Sequence, residues 1–134
     1  MNMRTVAIGA VLLAVTACAD QPNDWATEPS QTELEAVEDE CDGEEGDPGW
    51  AFVYTADDGQ TLIVDHKGEE DLVGATIEQL ACVLFELDVP SSIAARMDST
   101  RALDGVQTGT WDSYTVTWSF HPDTGIDLII EDGE

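Results

Sequence analysis

Apolar and polar residues alternate along Trp50-Ala-Phe-Val-Tyr-Thr55, with Trp50, Phe52 and Tyr54 on one face, and along Gln60-Thr-Leu-Ile-Val-Asp65, with Leu62 and Val64 on one face. Asp57-Asp58-Gly59 supplies turn chemistry between them, so the pair is expected to form a β-hairpin. The period then lengthens. Ile77, Leu80, Val83, Leu84 and Leu87 fall on one helical face behind Thr76-Ile-Glu-Gln79, a capping-box pattern, and Pro90 closes the segment. Ser91 or Ser92 is placed to cap a second short helix carrying Ile93 and Met97 one turn apart. Alternation returns in Val106–Trp111, Tyr114–Phe120 and Ile126–Ile130. Tyr114, Val116, Trp118 and Phe120 share a face opposite Thr115, Thr117 and Ser119, and turns at Asp112-Ser113 and His121–Gly125 make a three-stranded meander. The order ββ-α-α-βββ predicts an α+β, two-layer fold: an antiparallel sheet of about five strands with helices packed on one face, the Thr/Ser face meeting water.

Upstream of residue 50 the pattern is different. Arg4 precedes the apolar run Thr5–Ala17, which is shorter than the roughly 20 residues a membrane span needs and has the form of an export signal. It ends in Val15-Thr16-Ala17-Cys18. That tetrapeptide resembles the lipobox of bacterial lipoproteins, which implies that residues 1–17 are removed and that Cys18 is the lipidation site, carrying acyl chains such as palmitate. An ordinary secretory cut at an Ala-x-Ala site between Ala14 and Ala19 is the alternative. The lipobox reading implies a cell-membrane protein, lipid-anchored through acylated Cys18 on the extracytoplasmic face, since two or more chains anchor stably where one does not.

Residues 19–49 hold twelve acids and no Lys or Arg, with Pro22, Pro29 and Pro48. The expectation is an extended acidic tether over 18–49, Cys18 included, followed by a domain over 50–132. Ser30–Glu38 has the makings of one or two helical turns, although a solvated spacer is preferred. With Cys18 lipidated, Cys41 and Cys82 remain, and in an exported chain they most simply form one disulfide. Because Cys82 lies nearly opposite the apolar face of its helix, the Cys41 region is expected to cross that helix's outer side, over Phe85.

The whole chain of 134 residues has Asp+Glu 29 against Lys+Arg 4, a formal net charge of −25, and 43% hydrophobic residues. So acidic a chain lacks the cations that non-specific nucleic-acid binding or polybasic attachment to a leaflet requires, and its apolar content demands a folded part. Thr100-Arg-Ala-Leu-Asp-Gly-Val-Gln107, Trp111-Asp112, Trp118 and His121–Asp127 together resemble a group of small exported actinobacterial proteins of uncharacterised function, over roughly residues 80–130; the resemblance brings no activity with it.

No G-x-S-x-G, HExxH, P-loop or G-x-G-x-x-G is present, so no catalytic residue, cofactor or metal is expected. Zinc at His66 and His121 would lack the usual ligand spacing. Calcium at Asp42–Asp47 or Glu69-Glu70-Asp71 would lack the EF-hand pattern. Asp57-Asp58 before Gly59 reads as a turn rather than an acid/base pair. The candidate binding residues are Trp50 and Trp111, as an aromatic platform for cell-wall glycan or an envelope protein, with Arg96, Arg101 and His121. For the Trp pair the plain reading is core, and for Arg101 an ion pair with Asp104. The functional expectation is a monomeric, non-enzymatic lipoprotein presenting a small interaction domain. An acidic-loop ligand or Ca²⁺ sensor is the alternative, and an envelope hydrolase a third.

Overall fold

The computed structural model describes residues 31–133. The expected signal segment over residues 1–17, the expected lipidation site Cys18 and residues 19–30 lie outside the described residues. Three helices, α1 (Glu33–Cys41), α2 (Ile77–Glu86) and α3 (Ser91–Ser99), accompany five strands: β1 (Val53–Ala56), β2 (Thr61–Asp65), β3 (Gln107–Trp111), β4 (Tyr114–His121) and β5 (Gly125–Asp132). The strands form one antiparallel sheet in the order β1-β2-β5-β4-β3. The α+β expectation therefore holds, and the last strand joins the N-terminal hairpin to the meander. β5 suits that central place because Leu128 and Ile130 are fully buried between Val64 and Trp118 and between Leu62 and Val116.

Alternation assigns the faces. Val53, Leu62, Val64, Val116, Trp118, Leu128 and Ile130 point to the helices and are at most 1% exposed. The turn Asp112-Ser113 closes β3–β4 with Trp111 opposite Tyr114. At the first hairpin Asp57, Asp58 and Gly59 all have positive φ, confirming the turn reading of the two acids. Gly59 is required there on two counts. Its φ is +79°, and an added Cβ would lie 2.5 Å from Thr32 Oγ1, which donates to the Gly59 carbonyl.

That contact brings in α1, where the structure departs from the expected tether. Residues 32–41 belong to the domain. Thr32 caps α1 in a complete capping box with Glu35, and Leu34, Val37 and Cys41 are buried at 1%, 5% and 4% exposure. Its acids serve as hydrogen-bond acceptors for the sheet edge: Glu38 Oε2 accepts from Thr55 N at 2.8 Å and Asp42 Oδ1 from Val53 N at 3.3 Å. An edge strand would otherwise present those N–H groups to other chains. The domain therefore includes the chain from Thr32 onward rather than starting at residue 50.

The Cys41–Cys82 disulfide is present, with Cα atoms 5.6 Å apart. It does not carry the chain across the outer side of α2. α1 lies beside α2 and against β1 and β2, and Phe85 is left 78% exposed. α2 has the expected box, Thr76 with Gln79, and the Gln79 amide also donates to the Gly49 carbonyl. α3 has Pro90 at its N-cap with no side-chain cap, so Ser91 and Ser92 are first-turn residues, while Ile93 and Met97 are buried as expected. Trp50, Phe52 and Tyr54 do not share an inward face. The positive φ of Ala51 (66°) breaks the alternation, and the strand begins at Val53, which points inward while Tyr54 is 40% exposed.

Candidate functional site

α2 and α3 are joined by a short connection in which Asp88 takes positive φ (47°). Their apolar faces leave a groove over the β4–β5 end of the sheet, with a volume of about 300 Å³, lined by Ile77, Leu80, Leu84, Met97, Phe120 and Ile126. It adjoins a second hollow of about 720 Å³ whose lining includes Lys67, Glu69, Thr76, Glu78 and Pro122. His66, Ile77 and Phe120 line both, so the two hollows are neighbours and are treated together as the cleft.

His66 is placed by backbone contacts. Its N–H donates to the Ile126 carbonyl at 3.1 Å, it bridges to Ala75, and its own carbonyl lies against Gly125. A Cβ at Gly125 would come within 2.3 Å of that oxygen, and φ there is +83°, so glycine is needed to bring the β4–β5 turn to the wall of the cleft. His66 Nδ1 is buried without a hydrogen-bond partner. Burial lowers the imidazole pKa below 6.5, Lys67 lowers it further, and Asp65 opposes both, so the ring is neutral at pH 7. The unfolded chain takes up a proton that the folded ring resists, so this contribution to stability is lost as pH falls through 6.5.

The hydroxyls along the cleft are engaged in the fold. Thr76 Oγ1 accepts from Gln79 N, while Thr100 Oγ1 donates to the Arg96 carbonyl and accepts from Trp118 Nε1. What remains is apolar surface, a neutral imidazole, and a rim carrying Glu69, Glu78 and Asp98 against Lys67. Such a site can shelter apolar groups and attract positive charge.

The residues singled out from the sequence do not meet at this cleft. Trp50 is exposed beside β1, whereas Trp111 lies at the opposite edge of the sheet, 8% exposed, with Nε1 donating to the Leu87 carbonyl. They form no shared platform. Arg96 is an internal clamp: its guanidinium sits 5.2 Å from the Trp118 ring centroid and donates to the Thr108 carbonyl on the edge strand β3. Arg101 pairs with Asp104 at 3.6 Å, and the Arg101 backbone N–H holds that carboxyl below its usual range. His121 Nδ1 accepts from Asp123 N within the β4–β5 turn. Among the described residues no three or more His, Cys, Asp or Glu are arranged to hold a metal ion. Asp42 and Asp71 from the acidic loops accept backbone N–H bonds instead.

One carboxyl pair comes together only through the strand pairing. Asp65 and Asp127 face each other across β2 and β5. Partial burial raises the Asp127 pKa, Asp65 raises it further through charge and a hydrogen bond, and Asp71 adds to the effect. The folded state therefore binds more proton than the unfolded one just above the ordinary 3.8, and stability falls as pH rises through that window. Asp127→Asn should stabilise the domain by about 0.5 kcal/mol at pH 7, the scale of a like-charge cross-strand pair, and by nothing below about pH 4. Urea unfolding at both pH values checks this; an equal effect at both would mean the pair does not repel.

No family model matches this chain, and no curated protein or solved structure does.

Proposed function

We propose that this protein is a lipid-anchored, extracytoplasmic binding protein in which Cys18 holds the chain to the membrane and the α2–α3 cleft receives an apolar part of its ligand. The observation that carries the binding reading is the open apolar cleft itself, whose neighbouring hydroxyls are tied into caps and core contacts. Lipobox residues Val15-Thr16-Ala17-Cys18 support the anchoring, and the acidic residues between Cys18 and Thr32 suit a solvated spacer.

The test uses intact cells. Wild-type protein is expected in the membrane fraction and Cys18→Ala in the medium, and a photo-crosslinking side chain at Ala81, on the cleft, should give a discrete adduct that the same group at Thr110 on the open sheet face does not. Retention of Cys18→Ala in membranes would defeat the anchoring. Identical adducts from both positions would defeat the cleft as the binding site.

A further inference from the structure

We propose that the occupant of the cleft is a short cationic amphipathic peptide segment, its apolar side chains entering between α2 and α3 and its Lys or Arg side chains lying along the rim. This rests on the reading of the cleft as the binding site and adds the chemistry of the partner. Three observations lead to it. The two hollows adjoin, sharing His66, Ile77 and Phe120 in their linings, and each is open to solvent, so they would cover one face of an occupant. Peptide grooves work in this way, whereas small-molecule sites enclose most of their ligand. The floor is apolar, with Leu80, Leu84, Met97 and Ile126 offering places for two or three large side chains in about 300 Å³. The charge is one-sided: Glu69, Glu78 and Asp98 stand on the rim against Lys67, within a chain of 29 acids and 4 bases. That field draws in a cationic segment and repels an anionic one of the same apolar pattern.

The experiment uses the full-length lipidated protein in zwitterionic nanodiscs, with empty nanodiscs as the control for peptide partitioning. Fluorescence anisotropy follows three synthetic peptides: one with Leu at i, i+3, i+4 spacing and Lys elsewhere, one with Glu replacing each Lys, and one with the Lys retained and each Leu replaced by Ser. The Leu/Lys peptide is expected to bind, the Leu/Glu peptide not to bind, and the Lys/Ser peptide to bind at least about tenfold more weakly. Ala81→Trp, a filled position on an exposed helix face, should weaken the Leu/Lys peptide by about tenfold, as should Glu78→Gln combined with Asp98→Asn. Ala94→Trp fills the same groove from α3 and replaces Ala81→Trp if thermal melting shows that variant unfolded. Equal binding of the Leu/Lys and Leu/Glu peptides, both lost in Ala81→Trp, would overturn the cationic assignment and leave the cleft as a binding site. Equal binding of the Leu/Lys and Lys/Ser peptides with no effect of either Trp variant would overturn both, as would no binding of any peptide.

Discussion

Replacing Cys41 and Cys82 together by serine is expected to lower the unfolding free energy by about 4 kcal/mol, the chain-entropy value for a cross-link closing roughly 40 residues. The bond spans a sequence separation of 41 and ties the end of α1 to the middle of α2. For a domain this small that is a large share of a total of about 5–15 kcal/mol. The loss should not be spread evenly. α1 holds its place through Leu34, Val37, the Thr32 contact on Gly59 and the disulfide, so weakening its docking also removes the Glu38 and Asp42 acceptors from the edge of β1. Urea denaturation should show the midpoint moving down by about 2 M at a typical slope for a small domain. Hydrogen exchange should show the amides of Val53 and Thr55 losing protection before those of β4 and β5. A change under about 1 kcal/mol would mean that capping and packing alone hold α1.

The same helix shows how much of this fold the chain's pattern reveals. The hairpin, α2 and the meander were legible because their periods are regular and their punctuation local: Asp57-Asp58-Gly59, Thr76 with Gln79, and Asp112-Ser113. α1 was legible only in part: Ser30–Glu38 had the makings of one or two helical turns, but its composition favoured a solvated spacer. Six acids among Glu33–Asp42 read as solvated chain, yet Thr32 and Glu35 have capping-box spacing and Leu34, Val37 and Cys41 recur at helical intervals. Those two signals together outweigh charge density, because acids on the remaining faces of a helix need no burial. The Trp50–Tyr54 alternation misled for a different reason. One residue in the left-handed region, Ala51, resets the phase of everything before it. The cleft was not legible at all, since it is assembled from β2's end, two helices and the β4–β5 hairpin, and periodicity within each segment carries no information about the gap between them. His66 was visible as an imidazole, but the burial of its Nδ1 without a partner exists only in the folded packing.

Trp118→Ala is expected to cost about 3–5 kcal/mol, the range for removing a buried aromatic ring. The ring is 1% exposed, yet its chemistry is more specific than its burial. Nε1 donates to Thr100 Oγ1 at 2.9 Å, that hydroxyl donates onward to the Arg96 carbonyl at 2.6 Å, and the Arg96 guanidinium returns over the indole before reaching the Thr108 carbonyl. This circuit fixes the C-terminus of α3 over β3 and β4, and its Thr100, together with the nearby Met97, lines the cleft. Thr100→Val would leave the buried indole N–H without its acceptor, at about 1–3 kcal/mol. Trp118→Phe removes the donor instead, so the double variant should cost less than the two single changes added together. Arg96→Met should cost only about 0.5–1 kcal/mol, because a cation over an aromatic ring contributes little where solvent reaches it. If Arg96→Met proved as damaging as Trp118→Ala, the guanidinium would be organising the circuit rather than completing it. The ordering Trp118, then Thr100, then Arg96 follows from burial, since the free energy of each contact rises as water is removed from around it.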